Sequence, residues 1–144
     1  MDHVESAGVI FVRLDPGDPL VGSLRNLADE AALLCGSIAS GVGMLTDPLL
    51  GFFSVERDDY ERTQLAGTFD LSSIQGNVTR RDGVPVPHVH VVFNDPSLKT
   101  YSGHLIEARC HITMELLIVR TDALALARVK RIGEPATRII WPTR

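Results

Sequence analysis

Three of the chain's five histidines fall in one short stretch, "VPVPHVHVVFNDPSLKTYSGHL". His88 and His90 flank a single valine, and His104 follows an Asn-Asp-Pro break. Side chains alternate along a strand, so His88 and His90 share one face while Val89 and Val91 take the other. If the strand turns back near Ser97, His90 lies seven residues before that point and His104 seven after it. The two would then stand directly opposite, with His88 diagonal to them on the same face. A slip of one residue would turn His104 away. Three neutral imidazoles converging on a point suit Zn²⁺ or a similar divalent transition metal, at Zn–N distances of about 2.0–2.1 Å. The same spacing also suits a polar or interface face whose histidines bond to backbone. Spacing alone leaves both readings open. Gly103 marks a bulge, a turn position, or space for another group beside His104.

Three histidines with an open fourth position are also the layout of catalytic zinc, which lowers the pKa of bound water to about 7. Such chemistry wants a general acid or base nearby. Asp95, Glu107, Glu115 and the Glu56, Asp58, Asp59 cluster are available, and no spacing ties any of them to the histidines. A solvated loop is the simpler reading of the cluster. A small-molecule ligand is compatible with such a site.

Fourteen Lys and Arg stand against eighteen Asp and Glu, a net charge of -4. That balance argues against a broad phosphate-binding face, because nonspecific nucleic-acid affinity comes mainly from basic side chains. Arg80-Arg81 and Arg128, Lys130, Arg131 are the local exceptions, and solvated turns or guarded strand edges account for them more simply. Cys35 and Cys110 lack CxxC spacing and read as small apolar core residues rather than a disulfide. The amino-terminal residues lack the basic start and apolar stretch of a signal peptide, and no apolar run approaches the roughly 20 residues that span a bilayer. The expected location is the cytoplasm.

The elements that must position the histidines follow from pattern. "GVIFVRL" reads as a strand ended by Asp15-Pro16-Gly17. Asp18 as N-cap and Pro19 at the first helical position open a helix. Its apolar face is Leu20, Leu24, Leu27, Ala28, Ala31 and Leu34, and Cys35-Gly36 stops it. "SIASGVGMLTDPLLGFFSV", with Gly41, Gly43 and Asp47-Pro48, reads as two short strands with a turn between them. Two more follow, with a bend at Gly76-Asn77 and a turn at Arg81-Asp82-Gly83. "CHITMELLIVR" has a helical composition in part, but its Ile, Thr and Val favour strand. One helix and six to eight short strands make an α+β domain, an antiparallel or mixed sheet covered by the helix. We expect a single domain over 1–144, with a core of about residues 9–120 and C-terminal strands over 121–144.

"HVH…YSGHL", with "QGNV" before it and "ITMELLIV" after it, resembles the plants-and-prokaryotes-conserved (PPC) domain family over roughly Val9 to Arg120. The family's usual Gly-Gly-His is Ser102-Gly103-His104 here. The resemblance implies an α/β sheet domain assembling as a homotrimer. It implies a metal site near a subunit boundary at His88, His90 and His104, and it aligns Glu115 with a family glutamate. DNA binding is implied by family analogy only. In the plant proteins that contact belongs to a separate AT-hook element, and no Arg-Gly-Arg-Pro element occurs in this chain. The reading that follows is a trimeric metal-binding regulatory or DNA-associated module. The alternative is a zinc-type metalloenzyme acting on a small molecule.

Overall fold

The computed structural model describes residues 1–132, 134 and 137–141, and the C-terminal expectation for residues 133, 135, 136 and 142–144 lies outside them. Nine strands and one α-helix are described: β1 (Asp2–Ser6), β2 (Val9–Leu14), α1 (Leu20–Glu30), β3 (Gly36–Ser54), β4 (Asp59–Gln64), β5 (Thr68–Arg81), β6 (Val84–Asn94), β7 (Thr100–Arg120), β8 (Ala127–Val129) and β9 (Arg138–Ile140). A 3-10 turn covers Asp122–Leu124. All pairings are antiparallel except the short parallel contact of β5 with β8, so the sheet is mixed, as expected. β3 pairs β5, β5 pairs β6, β6 pairs β7 and β7 returns to β3, closing a ring. No helix among the described residues is long and apolar enough to cross a membrane.

Alternation sorts the side chains. Ile10, Val12 and Leu14 of β2, Val89, Val91 and Phe93 of β6, and Met114, Leu116 and Ile118 of β7 are buried together with Leu20, Leu24 and Leu27 of α1. Each of those large side chains contributes roughly 1.5–3 kcal/mol by leaving water. On the outer side, β2, β7 and β3 set Phe11, Leu117 and Ser40 in one row and Val9, Val119 and Ser37 in the next. Val9, Phe11, Val42 and Val119 remain exposed there.

The helix departs from expectation at both ends. Pro19, extended at φ -74° and ψ 121°, occupies the N-cap position and makes no side-chain cap. Asp18 instead accepts the Asp15 N–H and pairs with the terminal amine. The orphan donors of the first turn go to Glu107 on β7: Val21 N–H donates to Oε1 at 2.8 Å and Gly22 N–H to Oε2 at 3.1 Å. A distant carboxylate thus does what a local cap would do, placing negative charge on the positive end of the helix. Glu107→Ala is therefore expected to lower stability by about 1–2 kcal/mol. Urea unfolding checks this, and an unchanged midpoint would show the cap to be dispensable.

At the other end the helix stops before Cys35-Gly36. Ala32 adopts a left-handed φ of 48°, Leu33 N–H returns to Ala28 O, and Ala32 N–H to Asp29 O. These are the two bonds of a Schellman motif, closed here on alanine rather than glycine. Arg80 donates to Ala28 O and Leu33 O, and Arg120 to Ala31 O, so arginines reinforce the stop. Leu34 consequently lies outside the helix and is 57% exposed, while Leu33 is buried.

The two short strands expected around Asp47-Pro48 are one 19-residue strand, β3. Asp47 takes φ 49° and its carboxylate accepts the Gly67 N–H, so the turn signal becomes a register shift between Thr46 and Leu49. Gly76-Asn77 likewise makes no break in the 14-residue β5. The Asp82-Gly83 turn is present, with φ of 52° and 81°. "CHITMELLIVR" lies wholly within the 21-residue β7.

Candidate metal centre

The β6–β7 turn is built by Asp95. Its Oδ1 accepts the Ser97 N–H, the Ser97 hydroxyl and the Lys99 N–H, and Leu98 takes φ 67°. This tight closure fixes the pairing of His90 with His104 directly across the ladder. His88, two residues before His90, sits on the same face, so the assumed register is the one adopted. One nitrogen from each of His88, His90 and His104 lies within 4.8 Å of the others. Ring centroids are 5.3 Å apart for His88–His90, 5.1 Å for His88–His104 and 5.4 Å for His90–His104. Three imidazoles on one tetrahedral ion would place their centroids roughly 5 Å apart. The rings are already spaced for a shared ligand.

Surrounding elements hold the rings in place. Tyr60 of β4 stacks on His104 with centroids 4.7 Å apart and an interplanar angle of 16°. β5 runs beneath β6, with Gln75 opposite His90 and Asn77 opposite His88. Gly76 lies between them, and a Cβ there would sit 2.0 Å from the His88 carbonyl oxygen. Gly103 has a milder setting, because a Cβ would meet only Leu50, at 3.6 Å. An open depression lined by Ser73, Gln75, His90, Ser102 and Gly103 adjoins the cluster.

The electrostatics favour neutral rings at His88 and His104. Burial, aided by His88, His90 and Arg128, pushes the His104 pKa from 6.5 down to about 4. Burial also lowers that of His88, with Arg128 and His90 adding to the effect. A neutral imidazole keeps a lone pair free, which is the state that ligates metal. His104 Nδ1 is buried and has no hydrogen-bond partner among the described residues. A buried polar atom left unpaired is costly, so this nitrogen asks for a ligand. The donor set therefore fits a borderline divalent metal.

The carboxylates offered by the sequence are elsewhere. Glu107 is engaged at α1, and Asp95 organises its turn. Glu115 is exposed on β7, opposite Arg13 and Val42. Asp58 pairs with Lys130 and Asp59 with Arg62. Of the basic candidates, Arg80 is spent on the end of α1 and Lys130 on Asp58. Cys35 and Cys110 are buried free thiols. His111 bonds Thr46 and stands apart from the cluster. Sequence reading missed Tyr60 and the placement of Arg128, because no local spacing links β4 or β8 to β6.

No curated protein matches the chain. Solved structures do, and the likeness covers the fold almost end to end. A protein from Bacteroides thetaiotaomicron, described as a candidate DNA-binding protein, superposes with a TM-score of 0.88 at 18% identity, covering 97% of this chain and 96% of its own. A plant- and prokaryote-conserved protein from Pyrococcus horikoshii gives 0.81 at 24% identity, with 99% and 94% covered. A metal-containing protein from Archaeoglobus fulgidus gives 0.82 at 24% identity, with 96% of each chain covered. The strands that carry the histidines fall inside residues 1–122, which match the sequence profile of the Plants and Prokaryotes Conserved (PCC) domain, and the chain belongs to that family, the PPC family whose motifs the histidine segment carries.

Proposed function

We infer that this chain is a single-domain, metal-binding PPC module in which His88, His90 and His104 hold one divalent transition metal of zinc type. The observation that carries the reading is the buried, unpartnered Nδ1 of His104 within a cluster of three ligand nitrogens. The metal-containing description of the Archaeoglobus fulgidus relative supports it. Bound there, the metal would supply Lewis acidity at an open coordination position. The chain's own residues supply three imidazoles and an aromatic wall at Tyr60.

The module works as a homotrimer with a regulatory or DNA-associated role in the cytoplasm. The exposed row of Val9, Phe11, Val42 and Val119 on the outer side of β2, β3 and β7 is suited to burial against further copies. The Bacteroides relative's description supports a DNA association. The net charge of -4 and the engagement of Arg80 and Lys130 within the fold argue that any such association runs through a partner rather than a phosphate-binding face. The metalloenzyme reading is weaker, because Asp95, Glu107, Asp58 and Asp59 are engaged elsewhere, and among the described residues no carboxylate joins the three-histidine group.

Metal analysis of protein purified without chelator is the test. Close to one transition metal per chain is expected, with most of it lost in His90→Ala while the fold persists. Metal-free protein that ignores added zinc, or full retention in the variant, would sink the assignment. Sedimentation of the same sample should give three chains per particle. Fluorescence anisotropy with duplex DNA at low ionic strength should show no strongly salt-dependent binding by the isolated protein.

A further inference from the structure

Among the described residues, Arg128 on β8 carries a charge that nothing balances. It is only 7% exposed. Its Nε donates to Thr79 Oγ1 at 3.3 Å, one terminal nitrogen to Thr137 Oγ1 at 3.3 Å, and the other to Asn77 Oδ1 at 3.0 Å. All three acceptors are neutral, and no carboxylate pairs with it among the described residues. The other well-packed arginines differ. Arg80 meets Asp29, and Arg120 meets both Glu5 and Asp122. A buried cation is costly unless paired, and a guanidinium offers more N–H donors than these three acceptors take.

Its position gives that charge a purpose. Asn77 is the cross-strand partner of His88, so the guanidinium is tied to the strand beside the histidine cluster. Its charge bears on both His88 and His104, and Tyr60 lies within its electrostatic reach. We propose that Arg128 is an anion-recognition residue whose guanidinium receives a small oxyanion, a carboxylate or a phosphate group, beside the three histidines. This deepens the metal reading and rests on it for the oxyanion's second contact. A three-histidine site brings no negative ligand, so a divalent ion there keeps its full charge and adds to the attraction. Planar, bidentate recognition of such groups is what arginine does better than lysine. A residue this buried is out of reach of a duplex backbone, which points to a small molecule. Arg128 lies beyond the residues 1–122 matched to the family, so this recognition belongs to the C-terminal part of this chain.

Calorimetric titration of inorganic phosphate and, separately, acetate into the full chain tests this, with zinc-loaded and metal-free samples side by side. The zinc-loaded wild type is expected to bind one anion per chain, and the tighter of the two probes identifies the class. Arg128→Gln is expected to weaken that binding at least tenfold with zinc content unchanged, and Arg128→Lys to weaken it less. Absence of binding by the wild type in both samples, or equal affinity in Arg128→Gln, would overturn the proposal. Zinc content measured on the same samples keeps the two readings apart. A wild type that takes no zinc removes the metal, while its metal-free titration still decides Arg128. If Arg128→Gln loses its native circular dichroism, Arg128→Lys decides, and wild-type affinity there would overturn the proposal.

Discussion

Replacing His104 by alanine is expected to remove the metal and leave the fold. The ring is half-buried and stacked on Tyr60, but its Nδ1 contributes no hydrogen bond to the folded chain. Alanine therefore loses packing while also removing an unpaired buried nitrogen, and the two effects oppose. The metal-free variant should lie within about 1 kcal/mol of metal-free wild type on those grounds. Metal affinity should fall at least about 100-fold, since one of three protein ligands is gone. A metal at a hundred times its dissociation constant stabilises the wild type by about 2.7 kcal/mol. For a chain of this size that is roughly 8 °C in Tm. Adding zinc should produce that rise in wild type and none in the variant. A variant that still responds to zinc would place the ligands elsewhere.

The same substitution should change the acid limb of stability. An unfolded chain protonates His104 as pH falls through its ordinary value of 6.5, whereas the folded, metal-free chain does not until about 4. Between those values the unfolded state binds more protons, so metal-free wild type loses stability as pH drops from about 6.5 to about 4. His88 shifts in the same direction and adds to the loss. His104→Ala should flatten part of that slope, which urea midpoints at pH 7 and pH 5 would reveal. An equal slope in both proteins would mean that His104 titrates normally.

How much of this was legible in the sequence depends on how local the determinants are. The histidine hairpin was readable because everything that sets it lies within about twenty residues: the period of two, the Asn-Asp-Pro break, and the symmetric placement about Ser97. The strand character of "CHITMELLIVR" was readable for the same reason. The helix ends were not, because their caps come from far away. Glu107 binds the first turn across 86 residues of sequence, and Arg80 and Arg120 hold the last. The Asp47-Pro48 signal was real as backbone chemistry, with φ 49° at Asp47, yet flanking pairings with β5 and β7 converted a turn into a bulge. Tyr60 and Arg128 reach the centre only through tertiary pairing of β4 with β3 and of β8 with β5. No periodicity in a linear chain encodes such a meeting.

Gly76→Ala should destabilise the sheet, and it should act on the metal centre without touching a ligand. Gly76 has φ 154°, and an added Cβ would stand 2.0 Å from the His88 carbonyl oxygen. The obstacle is backbone, so no rotamer change relieves it, and β6 must move where it carries His88. Backbone strain of this kind costs about 1–3 kcal/mol, with lost ladder bonds and packing added. A loss of about 3 kcal/mol is expected, which lowers Tm by roughly 10 °C. Displacing His88 spreads the three nitrogens, so zinc affinity should fall along with stability. Gly103→Ala is the matched control. It sits beside His104, but its Cβ would meet only Leu50, at an ordinary 3.6 Å. Stability within about 0.5 kcal/mol of wild type and full zinc content are expected there. The contrast separates two glycines that look alike in the sequence, one required by close approach of two strands and one not. Wild-type stability and metal content in Gly76→Ala would show that β6 adjusts freely, and the centre would then owe its geometry to the Asp95 turn alone.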